Sequence, residues 1–269
     1  MKIVYSYSNK TELGLGSRVG LVPTMGALHD GHLSLVKKIR SHVDSVVLSI
    51  FINPLQFNSK SDLEKYPRTL AVDQQMAESA GVDLLWVPTE SEIYQADTPV
   101  IEPPSVGYSY EGLYRPKHFR GVLTVVNRLF NIVQPQVAIF GEKDFQQLFL
   151  IENMVKKLNL PISILTGETM RDSSGLALSS RNSQLHDPKE VSIFSDLISD
   201  LNLSDLDVSS RLKYARERLS KIFTVEYCEL IDSLTFQPIG QNFKGDARLI
   251  FAGYAQGVRL IDNGLVRFQ

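Results

Sequence analysis

With 269 residues, 43% of them hydrophobic, the chain is long enough for one large domain or two. Its net charge of −2 and pI of about 6.2 exclude a general nucleic-acid binder, which needs a basic surface. A single cysteine, Cys228, excludes an internal disulfide and points to a reducing compartment, and no apolar run approaches the roughly 20 residues of a transmembrane helix.

The first ten residues, MKIVYSYSNK, lack a long apolar core and a cleavage site, so no signal peptide is expected and a cytoplasmic protein is. RVGLVPTM reads as a strand and 32–42 as a helix. SVVLSIFIN is a continuous, β-branched, buried strand, and SDLEKYPRTLAVDQQMAESAG is mostly helical and closed by Gly81. VDLLWVP is the next strand. Val122, Val125, Val126, Leu129, Phe130 and Val133 recur at helical spacing and form one helix face. QVAIF is a strand, 144–158 a helix and ISILTGETM a strand. Buried strands alternating with helices imply a parallel sheet covered on both faces.

Near 172 the character changes. RDSSGLALSSRNSQL is polar and without period. Helical segments at about 188–201 and 207–223 follow, then the strand-like TVEYCELID, ARLIFAGYAQG and VRLIDN. These give a domain over 1–172 and a smaller α+β domain over 173–269. Cys228, inside TVEYCELID, reads as core.

The loop G-A-L-H-D-G-H at 26–32 follows the first strand of this series and opens a helix. Its two glycines have P-loop spacing, but His32 stands where lysine belongs and Leu33 where Ser or Thr belongs. GLGSRVG at 14–20 precedes a strand, so it is not a dinucleotide fingerprint. Three readings of H-x-G-H compete. A metal site needs further ligands, yet His42, His118 and His186 are scattered. The second reading is a helix cap with incidental histidines. The third is a phosphate site, in which the helix N-terminus offers N–H groups and a positive dipole end, Gly31 permits close approach, and the imidazoles donate to phosphate oxygens.

Other stretches bear on the phosphate reading. FGEKDFQQL begins where QVAIF ends, at the carboxyl edge of the sheet, and supplies the mobile cation Lys143 beside Glu142 and Asp144. LSSRN (178–182) offers two hydroxyls and an arginine. FINPLQF places Asn53 and Gln56 at the same edge, where neutral amides suit a small polar ligand.

Taken together, PTMGALHDGH, FINPLQF, YPRT, RPKHFRGVLTVV, FGEKDFQQL, GLALSSRN and RLIDN resemble, in order, the motifs of the pantoate–β-alanine ligase (pantothenate synthetase) family. The resemblance implies a Rossmann-like nucleotidyltransferase domain, a smaller C-terminal domain that closes over ATP as a lid, and a homodimer. It implies an AMP-forming ligase of coenzyme A biosynthesis that makes pantothenate from pantoate and β-alanine through pantoyl adenylate, with magnesium beside the phosphates. ATP would be bound by Met25, Gly26, Ala27, Leu28, His29, Asp30, Gly31 and His32, by Gly141, Glu142, Lys143 and Asp144, and by Met170, Leu178, Ser179, Ser180 and Arg181. Of these, His29, His32, Lys143, Ser179, Ser180 and Arg181 would be catalytic. Gln56 and Gln147 would hold pantoate, Asn53 and Arg115 would lie on the β-alanine side, and Asp73 is a candidate magnesium partner. Leu178 departs from the methionine common in the family, but keeps its volume and apolarity.

Two rival classes remain at this level. An adenylyltransferase for a phosphorylated acceptor would share H-x-G-H, although Gln56 and Gln147 are neutral where such an acceptor calls for a basic pocket. A catalytically silent nucleotide-binding module would be expected to have lost some of the chemical residues present here. A tRNA-charging enzyme also uses H-x-G-H, but the length leaves no anticodon-binding domain.

Overall fold

Every side chain of Ser45–Ile50 is buried, as in a strand covered on both faces, and this strand lies inside a six-stranded parallel sheet. The computed structural model describes residues 1–269. It builds the sheet from β1 (Lys2–Val4), β2 (Val19–Thr24), β3 (Ser45–Ile50), β4 (Leu84–Trp86), β5 (Val137–Gly141) and β6 (Ser163–Gly167). Their order is β1-β4-β3-β2-β5-β6, with every neighbouring pair parallel. The connecting helices are α1 (Asp30–Arg40), α2 (Lys60–Lys65), α3 (Leu70–Ser79), α4 (Glu90–Ile93), α5 (Glu111–Tyr114), α6 (His118–Val133) and α7 (Phe145–Lys157). From β2 the chain moves outward through β3 and β4, then returns to lay β5 on the other side of β2. The reversal leaves a crevice outside the carboxyl ends of β2 and β5, where open α/β sheets bind ligands.

The core follows the expected periodicities. Leu35, Val36 and Ile39 of α1 pack with Val22, Val46 and Leu48 of the sheet. All six apolar positions of the 122–133 pattern are buried in α6.

Four details differ from the sequence reading. β1 is an additional edge strand, too short to show a period. The long helical stretch at 61–81 is two helices, because Pro67 forces Tyr66 into extended backbone at ψ 129° and ends α2 there. β3 stops at Ile50, and 51–53 carry no strand although the Phe51 N–H still donates to the Thr24 carbonyl at 3.0 Å. α6 begins at His118, four residues before its apolar stripe.

The chain divides into two compact units, Met1–Glu142 with Gln146–Glu168, and Lys143–Phe145 with Thr169–Gln269. The expected boundary at 172/173 falls inside the second unit, which also takes Lys143 and Asp144 from the turn before α7 and Phe145 from its first position. This unit is an antiparallel sheet in the order β7-β8-β9, from β7 (Thr224–Asp232), β8 (Gly245–Ala255) and β9 (Val258–Phe268). Gln256 and Gly257, with φ of +53° and +76°, join β8 to β9 in a two-residue hairpin. Two helices, α8 (Phe194–Leu203) and α9 (Val208–Leu219), cover the sheet through Leu197, Leu201, Ala215 and Leu219. α8 starts later than the 188–201 pattern, and 188–193 is irregular. Cys228 is 3% exposed in this core, and burial pushes its thiol up to about 12, so it is inert packing. No helix is long and apolar enough to cross a membrane.

Candidate active site

β2 delivers its carboxyl end to a sharp reversal. Gly26 and Ala27 both adopt positive φ, +79° and +49°. A Cβ on Gly26 would stand 3.0 Å from Asp73 Oδ2, so the turn needs glycine for both conformation and room. The Thr24 hydroxyl accepts from the Gly26 N–H at 3.2 Å and donates to the Ser49 carbonyl of β3 at 2.8 Å.

Asp73, on α3 and 1% exposed, secures the reversal from outside. Its Oδ2 accepts from the Ala27 N–H at 3.0 Å and its Oδ1 from the Leu28 N–H at 2.8 Å. The Thr69 hydroxyl lies 3.2 and 3.3 Å from the two oxygens. The carboxylate proposed as a magnesium partner is thus turned onto loop amides, and no three His, Cys, Asp or Glu side chains gather into a metal cage.

The two histidines share one device. His29 is the N-cap of α1, and its Nδ1 accepts from the Gly31 N–H at 3.2 Å. The His29 N–H donates in return to His32 Nδ1 at 3.3 Å. This is a capping box with imidazoles in place of Ser and Glu, and the rings lie 4.1 Å apart. An imidazole whose Nδ1 accepts carries its proton on Nε2 when neutral. The helix-cap and phosphate readings are therefore compatible: the cap employs Nδ1 and makes Nε2 the donor, at the positive end of a helix dipole.

Beside this loop, Gln56 is 8% exposed and its Nε2 donates to Met25 Sδ at 2.9 Å. Asn53, 1% exposed, orients Gln56 and has little left for a ligand. Its Nδ2 donates to Gln56 Oε1 at 3.0 Å and to the Gly121 carbonyl at 3.2 Å, while its Oδ1 accepts from the Leu55 N–H and from the Tyr94 hydroxyl at 2.6 Å. Burial, with Glu90 adding to it, holds the Tyr94 phenol above its ordinary range, so it stays a neutral donor. Arg115 pairs with Glu111 at 3.7 Å and stands 3.2 Å from His118 Nε2, and His118 Nδ1 lies 2.9 Å from the Gln56 carbonyl. Tyr94, His118 and Gly121 escaped the sequence reading. His118 lies inside the RPKHFRGVLTVV motif, at the start of α6.

Of the two consecutive glutamines on α7, Gln146 is buried and structural. It donates to the Val106 and Ser109 carbonyls at 2.7 and 2.9 Å and accepts from the Glu111 N–H. Gln147 is half-buried next to it. Gly141 ends β5 opposite Gly167, and Glu142 opens a short 3-10 turn.

The remaining candidates lie in the second unit. Lys143 and Asp144 belong to its first segment. Met170 and Leu178 are joined by a backbone hydrogen bond of 2.9 Å, closing a loop with an Arg171–Ala177 bridge. Burial pushes the Asp172 carboxyl up, but hydrogen bonds from Ser174, Leu176 and Gly175 outweigh it and hold the group below the usual carboxylate range. Ser179 Oγ accepts from the Arg181 N–H at 3.3 Å, and Asn182 ties the segment to the Ala177 carbonyl at 2.9 Å.

A doubly wound parallel sheet with a histidine-capped helix at its switch point places the chain among Rossmann-like α/β proteins. Comparison with known proteins narrows the class: the pantoate-beta-alanine ligase family model matches residues 3–265. A pantothenate synthetase of Bradyrhizobium diazoefficiens is 43% identical over 253 residues, 91% of this chain and 89% of the relative. The crystal structure of Thermus thermophilus pantothenate synthetase superposes with a TM-score of 0.87 at 39% identity, covering 98% of this chain and 99% of that one. A pantoate–β-alanine ligase from Francisella tularensis, complexed with beta-gamma ATP and β-alanine, gives a TM-score of 0.77 at 36% identity, covering 98% and 97%. The chain belongs to the pantoate–β-alanine ligase family.

Gly121 makes the packing behind Gln56 testable. A Cβ there would stand 2.5 Å from the Leu55 carbonyl oxygen and 2.8 Å from the Gln56 nitrogen. Gly121→Ala should destabilise the protein by about 1–3 kcal/mol in thermal unfolding. It should also shift the amide resonances of Leu55 and Gln56 far more than those of β3. Unmoved Leu55 and Gln56 resonances would contradict this packing.

Proposed function

We propose that the chain condenses pantoate with β-alanine in two steps. A pantoate carboxylate oxygen attacks the α-phosphorus of ATP. The bond from that phosphorus to the bridging oxygen breaks, and pyrophosphate leaves with the electron pair, giving pantoyl adenylate. The free amine of β-alanine then attacks the acyl carbon, the carbon–oxygen bond to AMP breaks, the nitrogen loses a proton, and pantothenate forms. Adenylation is needed because a carboxylate is a poor electrophile until one oxygen becomes a good leaving group.

The reciprocal His29–His32 cap at the carboxyl end of β2 carries this reading. Its Nε2–H donors, with the cation of Lys143 and the donors of Ser179, Ser180 and Arg181, suit charge developing on a departing pyrophosphate. The neutral amides of Gln56 and Gln147 suit a substrate with one carboxylate and hydroxyls. Occupancy of the Francisella relative by beta-gamma ATP and β-alanine supports the same assignment. Magnesium would accompany the nucleotide phosphates, and Asp73, its candidate partner, accepts from the Ala27 and Leu28 N–H groups. A homodimer belongs to the reading. A cytoplasmic location, where ATP is abundant, also fits.

Pantoate-dependent exchange of labelled pyrophosphate into ATP tests the first step. His32→Ala or Lys143→Ala should slow it by about a hundredfold or more, the scale of one lost preorganised donor, with folding retained. Exchange within about threefold of wild type would remove that residue from the phosphate site.

Gln56→Glu should weaken pantoate binding by setting like charge beside a carboxylate, and leave ATP binding nearly unchanged. Calorimetry with both ligands checks it, and equal losses would place Gln56 elsewhere.

Asp73→Asn sets an amide donor against the N–H groups of Ala27 and Leu28 and should slow exchange roughly tenfold through loop displacement. Added magnesium should not restore the rate. Recovery with magnesium would make Asp73 an ion ligand instead.

A further inference from the structure

The RLIDN motif near the end of the chain has no task in the chemistry above, yet its last two residues are buried polar groups. Asp262 is 8% exposed and Asn263 4% exposed, adjacent on β9. The Asn263 side chain donates from Nδ2 to the backbone carbonyl of Lys143 at 2.8 Å and accepts at Oδ1 from Arg248 Nη1 at 2.5 Å. The Arg248 guanidinium lies over the Phe145 ring, 4.1 Å from its centroid, and Phe145 stacks on Phe236 at 5.7 Å. The short Lys143–Phe145 segment is therefore gripped at both ends within the second unit.

Asp262 holds a different segment. Its carboxylate takes Arg171 in a two-pronged pair, Nη1 to Oδ2 at 2.7 Å and Nη2 to Oδ1 at 2.9 Å. Arg171 Nη1 also donates to the Gly175 carbonyl at 3.0 Å, which closes the loop leading to Ser179, Ser180 and Arg181. Successive side chains of a strand point to opposite faces, so two neighbouring residues can each hold one segment.

We propose that Asp262 and Asn263 are positioning residues for adenylation: Asn263 sets the backbone from which Lys143 projects, and Asp262 sets the loop that presents Ser179–Arg181. The proposal rests on the assignment of Lys143 and Ser179–Arg181 to the ATP phosphates. Displacing a phosphate-contacting group by about 1 Å can cost on the order of a hundredfold in rate without unfolding anything. A residue that merely packs the second unit would lower stability and leave the turnover of the folded fraction alone.

A double-mutant cycle separates the two. Pyrophosphate exchange is measured for wild type, Asn263→Ala, Lys143→Ala and the double variant, alongside thermal unfolding. Asn263→Ala should lower kcat about tenfold to a hundredfold, leave the KM for pantoate nearly unchanged, and add less than about twofold once Lys143 is already alanine. Asp262→Asn should behave likewise against Arg181→Ala. If Asn263→Ala does not fold, Asn263→Asp keeps the shape and the acceptor for Arg248 while setting an oxygen against the Lys143 carbonyl, and the same cycle is run with it. Equal losses with and without Lys143, or no loss in the wild-type background, overturn the proposal alone. Wild-type protein without exchange, or Lys143→Ala at wild-type rate, overturns the phosphate assignment and the proposal with it.

Discussion

The position of β2 governs the first unit. It pairs in parallel with β3 on one side and β5 on the other, so it is the strand at which the sheet reverses direction. Its carboxyl end opens on the crevice that such a reversal creates. The H-x-G-H loop leaves this end, and FGEKD leaves β5 one strand away. Gln56 reaches the same loop because the turn after β3 brings its amide to Met25. Strand order thus sets which chain segments leave the sheet at this edge, before any side chain is chosen.

Local chemistry then resolves a conflict at the loop. Two consecutive residues with positive φ are costly, and exposed helix N–H groups need partners. The Asp73 carboxylate stabilises the reversal by taking the Ala27 and Leu28 amides, while the mutual histidine cap takes Gly31 and His29. The amides satisfied here are those of the approach, and both imidazoles sit at a positive helix end. Structural capping and ligand presentation are thereby assigned to different nitrogens of the same rings.

Much of the frame was legible because it is periodic or local. The buried strands, the α6 stripe and the H-x-G-H spacing all read directly from neighbouring residues. What escaped depends on distant partners. Asn53 looked like a ligand amide, but its bonds to Tyr94 and Gly121 cross 41 and 68 residues. Nothing in YPRTLAVD shows that the Asp73 carboxylate accepts from the amides of residues 27 and 28. The membership of Lys143–Phe145 in the second unit is equally invisible, since it rests on contacts with residues 236, 248 and 263. His118 could have been found by asking why a histidine should precede an apolar helix face inside a motif.

The pairing of β2 with β5 also bears on synthesis. On that side Val19 donates its N–H to Gln136 Oε1 and accepts at its carbonyl from the Gln136 N–H, 117 residues later, and Gly20 and Leu21 pair with Val137 and Ala138. A ribosome adding roughly 5–20 residues per second leaves that edge unpaired for several seconds after β3 and β4 have emerged. During this interval the nascent sheet carries an open, apolar border at its future centre. Sheets closed by such distant contacts form slowly, because a long loop must be ordered before the contacts reward it. The strand at the centre of the sheet is thus also a part of the nascent chain in need of protection from premature association.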